Sequence, residues 1–222
     1  ELMGDSETPL WGRVADNVAS LIPESPHRTQ EGKPRLLIVG AGMMGREHLR
    51  VTQQLGWAEV QGIVDPFNSS IEWAQSDWAR LSSQPLQVYA DLRDACLDSA
   101  VDAIVICSPN HTHYDVLKIV CESGKPILLE KPMATTLVDA MEVLRLASEY
   151  PSVIQLGMQY RFKAQYVEAF HEAKSRGSLG EIKTIAMSEY RPPFLAKVDQ
   201  WNKFNANSGG PLVEKCCHYF DL

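Results

Sequence analysis

Leu36-Leu37-Ile38-Val39-Gly40-Ala41-Gly42-Met43-Met44-Gly45 decides how the rest of this chain is read. Four apolar residues stop at a glycine, the pattern of a strand buried on both faces of a parallel sheet. The glycines follow G-x-G-x-x-G and open into the helical periodicity of Met44 to Leu55. Gly40 suits a tight turn, Gly42 a close approach of backbone to a pyrophosphate, and Gly45 tight packing of helix on strand. The free N–H groups of the helix start, at Met43 and Met44, favour an anion there. Asp65 follows Gly45 by 20 residues, where a carboxylate holds ribose hydroxyls. It repels a 2′-phosphate, and Pro66 to Ser70 offer no Lys or Arg to neutralise one, which favours NAD over NADP.

Outward from this motif, strand and helix patterns alternate. Strands are expected at Ala58 to Val64, Leu86 to Tyr89, Ala103 to Cys107, Ile127 to Leu129 and Val153 to Leu156. Helices are expected at Ile71 to Leu81, Leu92 to Leu97, His113 to Cys121 and Leu137 to Tyr150. Such alternation predicts βαβ units and an α/β, doubly wound parallel sheet of the Rossmann kind over residues 34–158. The pattern then changes. A helix at Ala164 to Ser175, a strand with one wet face at Glu181 to Tyr190, a Pro-rich aromatic loop and a last helix suggest the beginning of an α+β domain at 159–222. Residues 1–33 read as an extension with one amphipathic helix through Trp11, Val14 and Val18. Both ends read as cuts: Glu1 is not a methionine, and Leu222 falls inside a helical pattern without a stop signal.

Composition narrows the function. Of 222 residues, 45% are hydrophobic and 22% charged, which suits a globular protein and excludes a disordered one. A net charge of −7 speaks against a nucleic-acid partner, and no apolar run is long enough to cross a bilayer. Five scattered cysteines argue against a disulfide framework and for a reducing, cytoplasmic compartment.

The residues with chemistry lie where the strands end. Ser108-Pro109-Asn110 follows the Ala103 to Cys107 strand, where loops line a ligand crevice, although a turn that starts a helix fits equally well. His113, just beyond, reads as a helix-start packing residue more than a catalyst. Lys131 lies between Glu130 and Pro132, and the proline keeps it in extended backbone. In a closed site its ammonium would stabilise charge growing on a substrate oxygen. Glu214, His218 and Asp221 are spaced i, i+4 and i+7, which places them on one face of a continuous helix as a general base with its orienting acid. Arg161 has a fork suited to hydroxyls or carboxylates, though a surface ion pair fits as well. Trp201 reads as a cover over the ligand or as a core plug. Adjacent Cys216, Cys217 and His218 point about 100° apart on a helix and are not expected to bind a metal.

In order along the chain, GAGMMG, Ser108-Pro109-Asn110 with His113, Glu130-Lys131-Pro132, Gly157 to Phe162 and Gly209-Gly210-Pro211-Leu212 leading to His218 and Asp221 resemble the Gfo/Idh/MocA family of oxidoreductases. The resemblance runs from about Lys33 to Leu222. It implies that the 108–113 loop and Glu130-Lys131 touch the cofactor. Lys131 would lie between nicotinamide and substrate, and His218 would take a hydroxyl proton. Arg161, Trp201 and Asp221 would meet a sugar or polyol. The family usually has aspartate where Glu214 stands. The family also implies a second-domain sheet that pairs subunits into a homo-oligomer, and it includes non-catalytic NAD(P)-binding regulators as an alternative to a dehydrogenase.

Overall fold

A computed structural model describes residues 32–190 and 197–222. The helix expected through Trp11, Val14 and Val18 lies outside these. By proximity of their backbones the described residues form two compact units, one of residues 32–157 with 197–217, the other of residues 158–190 with 218–222.

The first unit is built on five parallel strands: β1 (Arg35–Val39), β2 (Glu59–Val64), β3 (Ala103–Ile106), β4 (Ile127–Leu129) and β5 (Ile154–Leu156), in the order β2-β1-β3-β4-β5. Its helices are α1 (Met43–Leu55), α2 (Asn68–Trp78), α3 (Leu92–Leu97), α4 (His113–Val120) and α5 (Leu137–Glu149). Both sheet faces are covered. Leu37 and Val39 pack into one apolar cluster with Ile104, Ile106, Leu117 and Leu129, while Ile38 points the other way to Leu49, Ile63, Ala74 and Trp78. This is why the central strands β1, β3 and β4 read as unbroken apolar runs and not as alternating ones. Each such side chain contributes roughly 1.5–3 kcal/mol by leaving water.

Leu86 to Tyr89 does not form the expected strand. It makes one parallel bridge, Val88 to Ile63, through Ile63 N–H to Gln87 O and Tyr89 N–H to Ile63 O. Asp91 immediately caps α3 by accepting from the Asp94 amide, which leaves no room for a longer ladder. Gly62 admits the bridge, since a Cβ there would lie 2.7 Å from the Tyr89 ring. Counting this rudimentary strand beside β2, the order matches the dinucleotide-binding arrangement, with the reversal between β1 and β3.

In the second unit, α6 (Ala164–Phe170) runs into a π-helical turn at His171–Ser175. Glu181 to Tyr190, expected as a strand, is exposed and joins no ladder among the described residues. Alternation of apolar and polar residues supplies one face of a strand, but without a neighbour its N–H and C=O groups have no ladder to enter.

Candidate active site

The Gly-rich loop begins where β1 ends. Gly40 has a φ of 93°, in the region that side chains avoid. A Cβ on it would meet the Cys107 carbonyl carbon and the Ser108 amide at 2.8 Å. The turn after β1 therefore leans on the turn after β3, at the point where the sheet order reverses and ligands bind in such folds. A Cβ on Gly45 would lie 2.0 Å from the Gly40 carbonyl, so only glycine lets α1 sit this close to β1. Gly42 is the N-cap of α1 and supplies no side chain to its amides, and a Cβ there would meet nothing within 4 Å. Asp65, directly after β2, accepts from the Ala41 amide at 2.7 Å and from the Phe67 amide at 2.8 Å. It thus pins the middle of the loop as well as bordering it.

The loops after β3 and β4 are joined by His113. Its ring is 1% exposed, with Nδ1 2.7 Å from the Pro132 carbonyl and Nε2 3.0 Å from the Ser108 carbonyl. Burial pushes its pKa below the usual histidine value, against the pull of the two carbonyls. The neutral ring has one N–H to give, so it donates to one of the two carbonyls and packs against the other, between the two loops. Asn110 is buried and donates through Nδ2 to the Ser208 carbonyl at 3.3 Å, which turns its amide toward the chain and ties the loop to residues 197–217.

Glu130, 8% exposed, lies against His48 Nε2 at 2.9 Å and accepts from the Lys131 amide. Burial opposes its ionisation, but His48 and Lys131 outweigh that and hold the carboxyl below the usual range. The Lys131–Pro132 peptide is cis. The Lys131 ammonium donates to the Glu214 carbonyl oxygen at 2.9 Å. Glu214 ends α8 (Gly210–Glu214), which follows α7 (Asn205–Ser208), and its side chain is 6% exposed. Its carboxylate lies 3.8 Å from the Lys197 ammonium, which also sits 4.4 Å from the centre of the Trp201 ring. Trp201 meets His111 edge-on, with centroids 6.2 Å apart. The tryptophan is half-buried beside the 108–113 loop. Neither Lys197 nor His48 belongs to a motif that marks it in the sequence.

The expected single face for Glu214, His218 and Asp221 is not formed. The helix breaks between Glu214 and α9 (Cys217–Asp221). The amides of Lys215 and Cys216 both donate to the Pro211 carbonyl, at 3.0 and 3.2 Å, so the second bond spans five residues. In the second unit His218 is 2% exposed and stacks on Tyr160, with centroids 4.1 Å apart and planes 6° from parallel. Tyr160 donates to Glu189 at 3.2 Å, and the Lys163 ammonium lies 3.4 Å from its ring centre. Arg161 is forked onto Asp221 by bonds of 2.7 and 2.6 Å. Of its two readings, the ion pair is the one formed, beside a cleft lined also by Tyr166, Phe170 and His171. Among the described residues, no group of three or more His, Cys, Asp or Glu is arranged to hold a metal, and no helix is long and apolar enough to cross a membrane.

Comparison with known proteins agrees with this layout. The model of the oxidoreductase family with an NAD-binding Rossmann fold matches residues 35–158, and that of its C-terminal alpha/beta domain matches residues 172–222. The chain belongs to the Gfo/Idh/MocA family. It is 28% identical over 189 residues to the rhizopine catabolism protein MocA of Rhizobium meliloti, covering 84% of this chain and 55% of that protein. It is 33% identical over 161 residues to inositol 2-dehydrogenase of Rhodococcus jostii, covering 72% and 42%. The structure of myo-inositol dehydrogenase from Lactobacillus casei, in complex with NAD(H) and myo-inositol, superposes with a TM-score of 0.59 at 28% identity over 67% of this chain and 43% of that one. The chain spans about half the length of the curated relatives it matches.

The Gfo/Idh/MocA Rossmann unit of this chain fits a dinucleotide. The space over Gly42 is open where a side chain would intrude, the α1 amides beneath it carry no side-chain cap, and Asp65 borders the loop with lone pairs to spare.

Proposed function

We propose that the whole protein is an NAD-dependent dehydrogenase that oxidises a secondary hydroxyl of a sugar or polyol. The observation that carries this reading is the Lys131 ammonium, held 2.9 Å from the Glu214 carbonyl beside the loops that border the dinucleotide crevice. A lysine tethered by one hydrogen bond keeps two N–H groups for a substrate oxygen. Gly40, Gly42, Met43, Met44 and Gly45 would receive the diphosphate on bare backbone. Asp65 would hold the ribose, and its charge selects NAD over NADP. Ser108, Pro109 and Asn110 would border the nicotinamide, with Glu130 and His113 fixing the loops on either side. Bound nicotinamide supplies the acceptor for the hydrogen that leaves the carbinol carbon with its electron pair.

The chain's own residues then have two tasks. Lys131 steadies the negative charge that grows on the substrate oxygen as its proton departs. His218 is assigned as the acceptor of that proton, on its motif position and its buried ring. Arg161 with Asp221, and Trp201, are assigned to substrate hydroxyls. The names of the relatives support an inositol-like polyol as the first substrate to try.

The test is calorimetry with NAD+ and NADP+, followed by a polyol and sugar panel watched through the absorbance of reduced nicotinamide. Tighter binding of NAD+ and reduction with at least one cyclic polyol are expected. Binding without reduction by any member of the panel would favour a regulator built on the same fold.

A further inference from the structure

Glu214 is gripped at both ends. Its main-chain carbonyl accepts from Lys131, and its carboxylate faces Lys197 at 3.8 Å. The glutamate side chain is 6% exposed and that of Lys197 25%, so neither charge is fully hydrated. A carboxylate this buried stays ionised only with a cation beside it. Among the described residues, Lys197 is the cation that faces the carboxylate, while the Lys131 ammonium donates to the carbonyl. Glutamate also reaches one methylene further than the aspartate expected at this position.

We propose that Lys197 is a positioning residue of the active site: by neutralising and aiming the Glu214 carboxylate, it holds the end of α8 in the place from which the Glu214 carbonyl fixes Lys131. The inference deepens the dehydrogenase reading and, for its kinetic part, rests on it. Lys197 joins three loops. It meets Glu214 at the end of α8, lies over Trp201 in its own loop, and through that ring reaches His111 in the loop after β3. Its charged surroundings are Glu214, Lys131 and Glu130. Burial pushes its own pKa below the usual lysine value, while Glu214 pulls it back up and Lys131 opposes that pull.

The experiment is a double-mutant cycle on the full protein with Lys197→Met, Glu214→Gln and the pair, read by thermal unfolding and by kcat and KM measured separately. Lys197→Met is expected to lower kcat by roughly tenfold or more with the KM for NAD+ little changed, because Lys131 loses its fixed place. It is also expected to lower Tm, and both effects should vanish when Glu214 is already glutamine. Lys197→Arg should restore kcat. Calorimetry should show less than about a threefold change in NAD+ affinity, since Lys197 lies away from the Gly-rich loop. Should the methionine variant fail to fold, Lys197→Gln takes its place in the same cycle. Equal Tm losses from Lys197→Met in the wild-type and Glu214→Gln backgrounds would overturn the proposal, as would an unchanged kcat in an active enzyme. The unfolding cycle needs no turnover, so it decides the Lys197–Glu214 coupling even if the protein oxidises no polyol.

Discussion

The Lys131 ammonium and the Glu214 carbonyl, 83 residues apart in sequence, meet at 2.9 Å and join the loop after β4 to the end of α8. A flexible lysine on a loop is ordinarily a hydrated point charge. Here the extended backbone before Pro132 launches it, and the end of α8 stops it. That restraint converts a general cation into one with a fixed place.

Lys131→Met should reduce kcat by ~10²–10³-fold, the usual loss when one preorganised donor to a developing oxyanion is removed. NAD+ affinity should change little, because the diphosphate and ribose contacts lie elsewhere. Steady-state kinetics set beside calorimetry separate the two effects.

Asp65→Ala removes both the bond to the Ala41 amide and the acid next to the ribose. NAD+ affinity should fall roughly tenfold or more, as expected for a lost charge-assisted hydrogen bond of ~1.5–3 kcal/mol. Preference for NAD+ over NADP+ should narrow at the same time, which parallel calorimetric titrations would reveal.

Gly45→Ala places a methyl group 2.0 Å from the Gly40 carbonyl. Helix α1 must then withdraw from β1, at a cost of roughly 1–3 kcal/mol or more for overpacking. A lower Tm and weakened NAD+ binding should appear together in this variant.

Stability should depend on pH through His113. Burial lowers its folded pKa below the unfolded value of about 6.5. The unfolded chain therefore binds the extra proton first, and the stabilisation is complete only above that value. It is lost progressively as pH falls from there through the folded value. Urea unfolding from pH 8 to pH 5 (roughly that window) should show falling stability, with a shallower slope in His113→Asn.

Much of this was legible in the residues themselves. A four-residue apolar run before Gly40 has few homes other than the centre of a parallel sheet, and the spacing of Gly45 and Asp65 carried the crevice with it. The Lys131 motif was visible because proline restricts its neighbour. What escaped depends on contacts that no periodicity records. Glu214, His218 and Asp221 keep helical spacing, yet the amides of Lys215 and Cys216 both turn to the Pro211 carbonyl and the helix breaks there, which spacing alone does not record. Lys197 and His48 matter through partners 17 and 82 positions away, Glu214 and Glu130. Leu86 to Tyr89 and Glu181 to Tyr190 have strand composition, but a strand also needs a neighbour to pair with.

Transfer of label is the most direct test of the hydride reading. The full protein is incubated with NAD+ and a cyclic polyol deuterated at its carbinol carbons, and the reduced cofactor is examined by mass spectrometry and NMR. One deuterium at the nicotinamide C4, with formation much slowed in Lys131→Met, is the predicted result. Tight NAD+ binding with no labelled cofactor from any polyol or sugar tried, or labelling at an equal rate in Lys131→Met, would contradict it.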